Sequence, residues 1–313
     1  MANANLTAAK KAQKDEFYTR RQDIENELHH YADHFRGKTV YCNCDDPEWS
    51  EFWQFFVRNF KPWGLKKLIS THYERGNQSY GMTFDGENAE YFMLESDGDF
   101  RSPESIELLK EADIVVTNPP FSLFREYVPL LMKYDKKFLI IGSQNMITYK
   151  EIFPLLKENR MWLGFGFEAG NAYFRVPDDV DTSHYANGVY NKATGLVKFR
   201  NCCWFTNLDH KKRHEPLDLR GNYYDPEKYP KYKNYDVIEV GRIENIPCDY
   251  SGVMGVPVTF MGKYCPDQFE IIGMAEDNGR GYSGEESKWD GLNPHCVVDG
   301  KNKFKRLFVR RKQ

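Results

Sequence analysis

The sequence predicts an α/β chain: a doubly wound, mostly parallel sheet followed by a smaller, irregular β-rich region. Apolar runs of strand length (Thr39-Val-Tyr-Cys42, Lys67-Leu-Ile-Ser-Thr71, Asp113-Ile-Val-Val-Thr117, Lys137-Phe-Leu-Ile-Ile-Gly142 and Met161-Trp-Leu-Gly-Phe165) alternate with stretches of helical spacing. Continuous apolar strands between helices are the signature of a parallel sheet covered on both faces. Beyond Phe167 the pattern breaks into short pieces such as Ala172-Tyr-Phe-Arg-Val176 and Cys202-Cys-Trp-Phe-Thr206, separated by Gly, Asn, Asp and Pro. The composition of the 313 residues, 41% hydrophobic and 28% charged with 22 Phe, 20 Tyr and 6 Trp, supports a large core and excludes disorder and collagen.

Each element has a local reason. Ile24, Leu28, Tyr31 and Phe35 fall on one helical face. Pro47 is placed to open a helix that buries Trp49, Phe52, Trp53, Phe56 and Phe60. Asp85-Gly86 marks a hairpin, and Ser102-Pro103 reads as an N-cap with proline at the first helical position. Phe124, Val128 and Leu131 indicate a further helix that Pro129 kinks or delays. Thr148-Tyr-Lys-Glu151 has the spacing of a capping box, which opens a helix through Ile152 and Leu156.

Charge excludes a polycation: 43 Lys and Arg stand against 46 Asp and Glu, a net −3 at pH 7. Any polyanion must therefore meet a local patch. Residues 198–233 hold nine basic and five acidic residues (+4), and the last thirteen hold seven basic residues and no acid. No apolar run approaches the ~20 residues of a membrane span, and the N-terminus lacks a secretory layout, so a cytoplasmic protein without a membrane partner is expected. The seven cysteines show neither C-x-x-C nor zinc-finger spacing, which reads as reduced thiols and no metal.

In a doubly wound sheet, ligands bind beyond the carboxyl ends of the strands. Three loops there carry candidate chemistry. Asn118-Pro-Pro-Phe121 is a rigid turn without free N–H groups at its prolines, suited to a planar exocyclic amino group: the Asn118 oxygen and Pro119 carbonyl accept its hydrogens and Phe121 stacks on the base. The bland alternative is a proline turn that ends a strand. Asp97-Gly-Asp-Phe100 sets carboxylates beside a ring, fit for an adenine, or is a solvated turn. In Asn43-Cys-Asp-Asp-Pro47 the acids either cap a helix or bind a cationic group, and spacing alone does not decide.

Together with Lys14-Asp-Glu-Phe-Tyr-Thr19, Asp249-Tyr-Ser-Gly-Val-Met-Gly-Val-Pro257 and the extended run Asp113–Tyr127, these loops resemble DNA adenine-N6 methyltransferases, and within them the EcoRI-type modification methylases. The resemblance implies a Rossmann-like catalytic domain at 1–208, with a variable insertion at about 168–200, and a target-recognition region at 209–313. It implies transfer of a methyl group from S-adenosyl-L-methionine to N6 of an adenine flipped out of duplex DNA, by a monomer, with a cognate restriction endonuclease acting on the same site. Asn118, Pro119, Pro120 and Phe121 match the catalytic loop. Phe17, Tyr18, Thr19, Asn43, Cys44, Asp45, Asp46, Asp97, Asp99 and Phe100 match cofactor segments. The wider superfamily uses a glycine-rich F-x-G-x-G loop where this chain has Tyr41-Cys-Asn-Cys-Asp45, in which Asn43 can still take left-handed backbone angles. Lys198, Arg200, Lys211, Lys212, Arg213, Lys305, Arg306, Arg310 and Arg311 are the candidate phosphate contacts, against the plain alternative of a solvated face.

Competing readings are an RNA or protein-glutamine methyltransferase with the same loop, and a non-catalytic DNA-binding regulator. Pro266-Asp267 with Glu286-Ser-Lys288 superficially matches a metal-dependent nuclease, and His210 with His214 a metal pair.

Overall fold

The structure, a computed structural model, describes residues 18–175, 182, 183, 185, 188–282 and 288–312. The chain divides into two compact units, Met1–Ser143 with Leu163–Asp209, and Gln144–Trp162 with His210–Gln313. Compactness thus groups 144–162 with the later unit, although its sequence reads as a continuation of the strand–helix alternation.

The first unit begins with strand β1 (Tyr18–Thr19) and helix α1 (Arg21–Leu28), which tightens into a 3₁₀ turn (His29–Phe35). There follow β2 (Thr39–Cys42), α2 (Glu51–Trp63), β3 (Lys67–Thr71), β4 (Tyr80–Phe84), β5 (Ala89–Met93), α3 (Pro103–Glu111), β6 (Ile114–Thr117), α4 (Phe124–Lys133) and β7 (Lys137–Ser143). After the excursion that carries α5 (Phe153–Lys157) come β8 (Trp162–Leu163), β9 (Asn171–Arg175), β10 (Tyr190–Asn191), β11 (Leu196–Arg200) and β12 (Cys202–Thr206).

Eight strands form one sheet in the order β5-β4-β3-β2-β6-β7-β12-β8. Its centre is parallel, with Tyr41 opposite both Ile69 and Val115, and Val116 opposite Leu139. The flanks are antiparallel, Ile69 pairing with Thr83, Met82 with Tyr91, and Trp204 with Ile141. The expected mostly parallel sheet is therefore mixed. A short turn at 85–88 can only return the chain antiparallel, and β12 comes back beside β7 in the same sense.

Val40, Cys42, Leu68, Val116, Leu139 and Ile141 share a cluster with Ile24 and Leu28 of α1 and Phe52 and Phe56 of α2. The intervening Tyr41, Ile69, Val115 and Ile140 are buried as well, so the central strands are covered on both faces. The apolar stripe predicted for the first helix is real: Ile24, Leu28, Tyr31 and Phe35 are all buried.

A second sheet, β1-β9-β11-β10, is antiparallel throughout. Ala172, Phe174, Val197 and Phe199 are its buried side. Period-two alternation puts Tyr173, Arg175, Leu196, Lys198 and Arg200 on the other.

Two expected helix starts move. Pro47 lies in a turn, and α2 begins at Glu51, where the Ser50 hydroxyl accepts from the Phe52 N–H at 3.1 Å as N-cap; Trp49, expected on the buried face, precedes the helix and is 70% exposed. The 148–151 box does not start a helix: a 3₁₀ turn covers Gln144–Thr148, and α5 begins at Phe153 with Pro154 in its first turn. Helix α4 begins at Phe124, the first residue of its predicted stripe, after a 3₁₀ turn at Phe121–Leu123, and Pro129 lies inside it without delaying the start.

In the second unit β13 (Ile238–Glu239), β14 (Met254–Pro257), β15 (Phe269–Met274) and β18 (Arg306–Arg311) form a sheet in the order β13-β14-β18-β15, and β16 (Val297–Val298) pairs with β17 (Lys301–Asn302). The basic C-terminal run is thus an inner strand with Leu307, Phe308 and Val309 buried. Helix α5 packs on β15.

Candidate active site

Strands β2, β3 and β6 end in polar residues at their carboxyl ends, and these build the site. The loop after β2 is fixed by side chains. Asp45 is buried: its Oδ1 accepts from the Ser50 hydroxyl at 3.1 Å, its Oδ2 from the Thr117 hydroxyl, and its carbonyl from the Ser70 hydroxyl at 2.5 Å. Ser70 also reaches the Cys42 carbonyl at 3.1 Å. Asn43, buried too, accepts from the Tyr127 hydroxyl. Asp46 accepts from the Tyr80 hydroxyl at 2.6 Å and the Glu48 N–H at 2.9 Å, with His72 Nδ1 3.4 Å away. Burial and the Asp46 bond push the Tyr80 hydroxyl well above its ordinary pKa, so it stays a donor.

Asn43 does not use the left-handed angles open to it and is absent from the positive-φ residues of the described chain. Hydrogen bonds from β3, β4, β6 and α4 hold the loop in an ordinary conformation, which removes the need for a residue that tolerates positive φ.

The loop at 97–100 follows the β4–β5 hairpin. Gly98 has φ +80°, and a Cβ there would stand 2.0 Å from the His72 carbonyl oxygen, so only glycine fits. The Asp97 carbonyl accepts from the Glu74 N–H at 2.8 Å, which ties this turn to the segment after β3. Arg101 grips Asp99 through two bonds, at 2.9 and 2.7 Å, and Glu126 through a third at 2.7 Å. Phe100 is buried, edge-on to Tyr127 at 5.0 Å with the Arg101 guanidinium 5.2 Å from its centre. That ring is engaged by protein neighbours.

Asn118 leaves β6 partly buried, Pro119 is buried, and the Pro120 carbonyl accepts from the Leu123 N–H at 3.0 Å. Among the described residues no hydrogen bond uses the Pro119 carbonyl. Phe121 is partly buried against the core cluster. The three candidate loops are brought together: Asp45 joins the first to the residue before Asn118, and Tyr127 joins Asn43 to Phe100.

Tyr18 and Thr19 form β1, which lies against α2, the helix that follows the first loop. Thr19 is 3% exposed, and its hydroxyl has no hydrogen-bond partner among the described residues. Phe17 lies outside the described residues.

Several contributors were not singled out from the sequence: Ser50, Ser70, Thr117, Tyr127, Tyr80, His72 and Glu27. Glu27 is buried, accepts from the Phe165 and Gly166 N–H groups at 2.8 Å each and from the Tyr31 hydroxyl at 2.9 Å. A Cβ on Gly164 would lie 2.1 Å from its carboxylate. The available signal for Ser70 and Thr117 was a hydroxyl closing an apolar strand just before a loop.

The predicted phosphate contacts fall into two groups. Lys198 and Arg200 share the outward side of the second sheet with Arg175, and Tyr173 there lies under Arg20 at 4.8 Å and Lys198 at 5.8 Å. Lys211 and Arg200 are exposed, and Lys212, Lys305 and Arg311 partly so. Arg306 and Arg310, by contrast, are engaged by Glu239 and Glu270, and Arg213 lies over Trp162 at 3.8 Å. His214 meets Asp267 at 3.1 Å, Glu286 lies outside the described residues, and among the described residues no three metal-binding side chains cluster. No described helix is long and apolar enough to cross a membrane.

The sequence profile of the family described as "Adenine-specific methyltransferase EcoRI" matches residues 5–312. The chain belongs to the EcoRI family of adenine-specific methyltransferases. This EcoRI-family methyltransferase is 47% identical over 289 residues to the type II methyltransferase M.EcoRI of Escherichia coli, covering 86% of this chain and 89% of that one. It is 42% identical over 269 residues to the type II methyltransferase M.MpnI of Mycoplasma pneumoniae (84% and 83% covered), and 38% identical over 315 residues to M.MgeORF184P of Mycoplasma genitalium (99% of each).

Proposed function

We propose that this adenine-specific methyltransferase moves a methyl group from S-adenosyl-L-methionine to the N6 atom of an adenine flipped out of a short recognition site in duplex DNA, and that Asn118-Pro-Pro-Phe121 receives that adenine. The observation that carries this reading is the junction of the three loops through Asp45–Thr117 and Asn43–Tyr127–Phe100. A cofactor segment and an acceptor segment tied to one another are what a direct transfer between two bound molecules requires.

The residues present fit the cofactor. Thr19 offers a buried hydroxyl with no partner among the described residues beside the helix that follows the first loop. The carboxylates at 45, 46, 97 and 99 oppose a cationic ligand, although both oxygens of Asp45 and of Asp99 already serve protein groups. S-adenosylmethionine supplies a methyl group already activated by its sulfonium. The chain's work is then positional and electrostatic. The Asn118 side-chain oxygen and the Pro119 carbonyl accept from the adenine amino group and stabilise positive charge as it develops on the nitrogen. The Phe121 ring steadies the base. The amino proton leaves to solvent after attack, because no general base is required once the methyl is transferred.

The central parallel strands with helical cover support reading the first unit as a Rossmann-like catalytic domain, with target recognition assigned to the second unit. The outward side of the second sheet, with Arg175, Lys198 and Arg200, is placed to hold backbone phosphates by charge. The protein acts as a cytoplasmic monomer, with a restriction endonuclease of matching specificity as its natural companion.

The decisive experiment is methyl transfer from labelled S-adenosylmethionine into duplex DNA, recovered as N6-methyladenine, with Asn118→Ala beside the unaltered protein. The expected loss is at least ~10²-fold with cofactor binding kept. Label found only in RNA or protein would overturn the substrate, and an active Asn118→Ala enzyme would overturn the loop assignment.

A further inference from the structure

The sequence gives no reason for a hydroxyl at the end of β6, since valine would fill the same volume and suits a buried strand better. Yet Thr117, fully buried, donates its hydroxyl to the Asp45 carboxylate, and Asn118 is the next residue. Asp45 is immobilised on its other side by Ser50 at the head of α2 and by Ser70 at the end of β3. A buried carboxylate is costly unless every oxygen is satisfied, and here the Ser50 and Thr117 hydroxyls take one oxygen each while Ser70 holds the backbone carbonyl of the same residue. A second arm runs from the Tyr127 hydroxyl in α4 to Asn43. Residues on both sides of the 118–121 turn are therefore bonded to the loop after β2.

We infer that Asp45 and Thr117, with Asn43 and Tyr127 as the second arm, are positioning residues that set the distance between the cofactor loop and the acceptor loop. They take over by side-chain bonds what a glycine-rich loop achieves by close backbone approach. They touch neither the adenine nor the methyl group. Their effect is on the alignment of nitrogen and methyl carbon, to which transfer rates are steep: a misplacement of about 1 Å costs up to ~10²-fold. This inference rests on the assignment of Asn118 to the acceptor loop.

The test is single-turnover methylation of duplex DNA at saturating cofactor by Thr117→Val, Thr117→Ser and Tyr127→Phe, with dissociation constants for S-adenosylmethionine and DNA measured on the same preparations. Thr117→Val should transfer about 10–100-fold more slowly while both dissociation constants stay within about threefold. Thr117→Ser, which keeps the hydroxyl, should restore the rate to within about threefold. Tyr127→Phe removes only the second arm and should show the same split between rate and affinity, so the inference stands or falls even where Thr117→Val does not fold. Wild-type rates in both Thr117→Val and Tyr127→Phe would overturn it, as would rate losses that merely follow lost affinity and that serine does not repair. Asn118→Ala separates the two levels: if that variant is active the loop assignment fails, whereas an inactive Asn118→Ala beside fully active Thr117→Val and Tyr127→Phe refutes the tie alone.

Discussion

Arg306 holds both oxygens of Glu239 through its Nε and Nη2 atoms, at 3.1 and 2.8 Å, inside the sheet of the C-terminal unit. The side chains are 12% and 9% exposed, and Tyr232 donates to the same carboxylate. Removing one partner of a buried pair strands the other, at a typical cost of about 3–5 kcal/mol. Arg306→Met should lower unfolding stability by roughly that amount, and Arg306→Met with Glu239→Gln should regain part of it. Urea melts of the single and double variants check this. Equal stability of Arg306→Met and the unaltered protein would show that the pair is not structural.

The proposed phosphate contact rests on the other basic group, Lys198 and Arg200 of the second sheet. Each phosphate contact contributes about 0.9 to the slope of log affinity against log salt. Lys198→Ala and Arg200→Ala should each flatten that slope by nearly one unit, with similar losses on matched and unmatched sequences. Arg310→Ala should leave the slope unchanged, because Glu270 already meets that charge at 2.5 Å. A binding series between low and physiological salt decides; an unchanged slope in both sheet variants would remove this face from the DNA contact.

Thiol labelling tests the first loop without any measurement of activity. Burial pushes the Cys42 and Cys203 thiols well up and those of Cys202 and Cys296 up to about 12, whereas Cys44 and Cys248 are partly exposed. Alkylation of the native protein at pH 8 should be confined to Cys44 and Cys248. Saturating S-adenosylmethionine should then slow Cys44 and not Cys248, as read by mass spectrometry. Equal protection of both, or of neither, would take the 43–47 loop out of the cofactor site.

Acid should loosen the 97–101 turn. Burial raises the Asp99 carboxyl, but the Arg101 side chain and backbone N–H outweigh it, and the net pKa lies below the usual carboxylate range. A carboxyl depressed in the folded state contributes stability above its unfolded pKa near 3.9, and that contribution is lost as pH falls through the folded value. The stability gap between the unaltered protein and Asp99→Asn should be constant above about pH 5 and shrink below about pH 4. Denaturant melts across this range give the gap; a widening on acidification would contradict the assigned ion pair.

Sequence periodicity located the core strands of the first sheet and the stripe through Ile24, Leu28, Tyr31 and Phe35 because apolar spacing is a local signal. It also located the Asn118 loop, since two prolines after a strand constrain the backbone whatever surrounds them. The ties between loops were not legible. Asp45 and Thr117 are 72 positions apart, Asn43 and Tyr127 84 apart, and nothing in either neighbourhood names its partner. Charge density misled at the C-terminus, where 301–313 reads as a basic tail: the acids that neutralise Arg306 and Arg310, at 239 and 270, sit in other strands. Pro47 misled for a different reason, as the Ser50 cap three residues later fixes the start of α2.

The chain crosses between its two compact units three times, after Ser143, after Trp162 and after Asp209. Neither unit is a single stretch of sequence, and α5 finds its partner strand β15 more than a hundred residues downstream. A crossover at 209 that grafted a relative's C-terminal half would therefore leave a foreign β15 facing a native α5, with Phe153, Leu155 and Leu156 to be accommodated anew. Any exchange of the C-terminal unit among such enzymes must carry two inserts or co-adapt the helix, which makes recombination by one breakpoint a poor route to a well-packed hybrid.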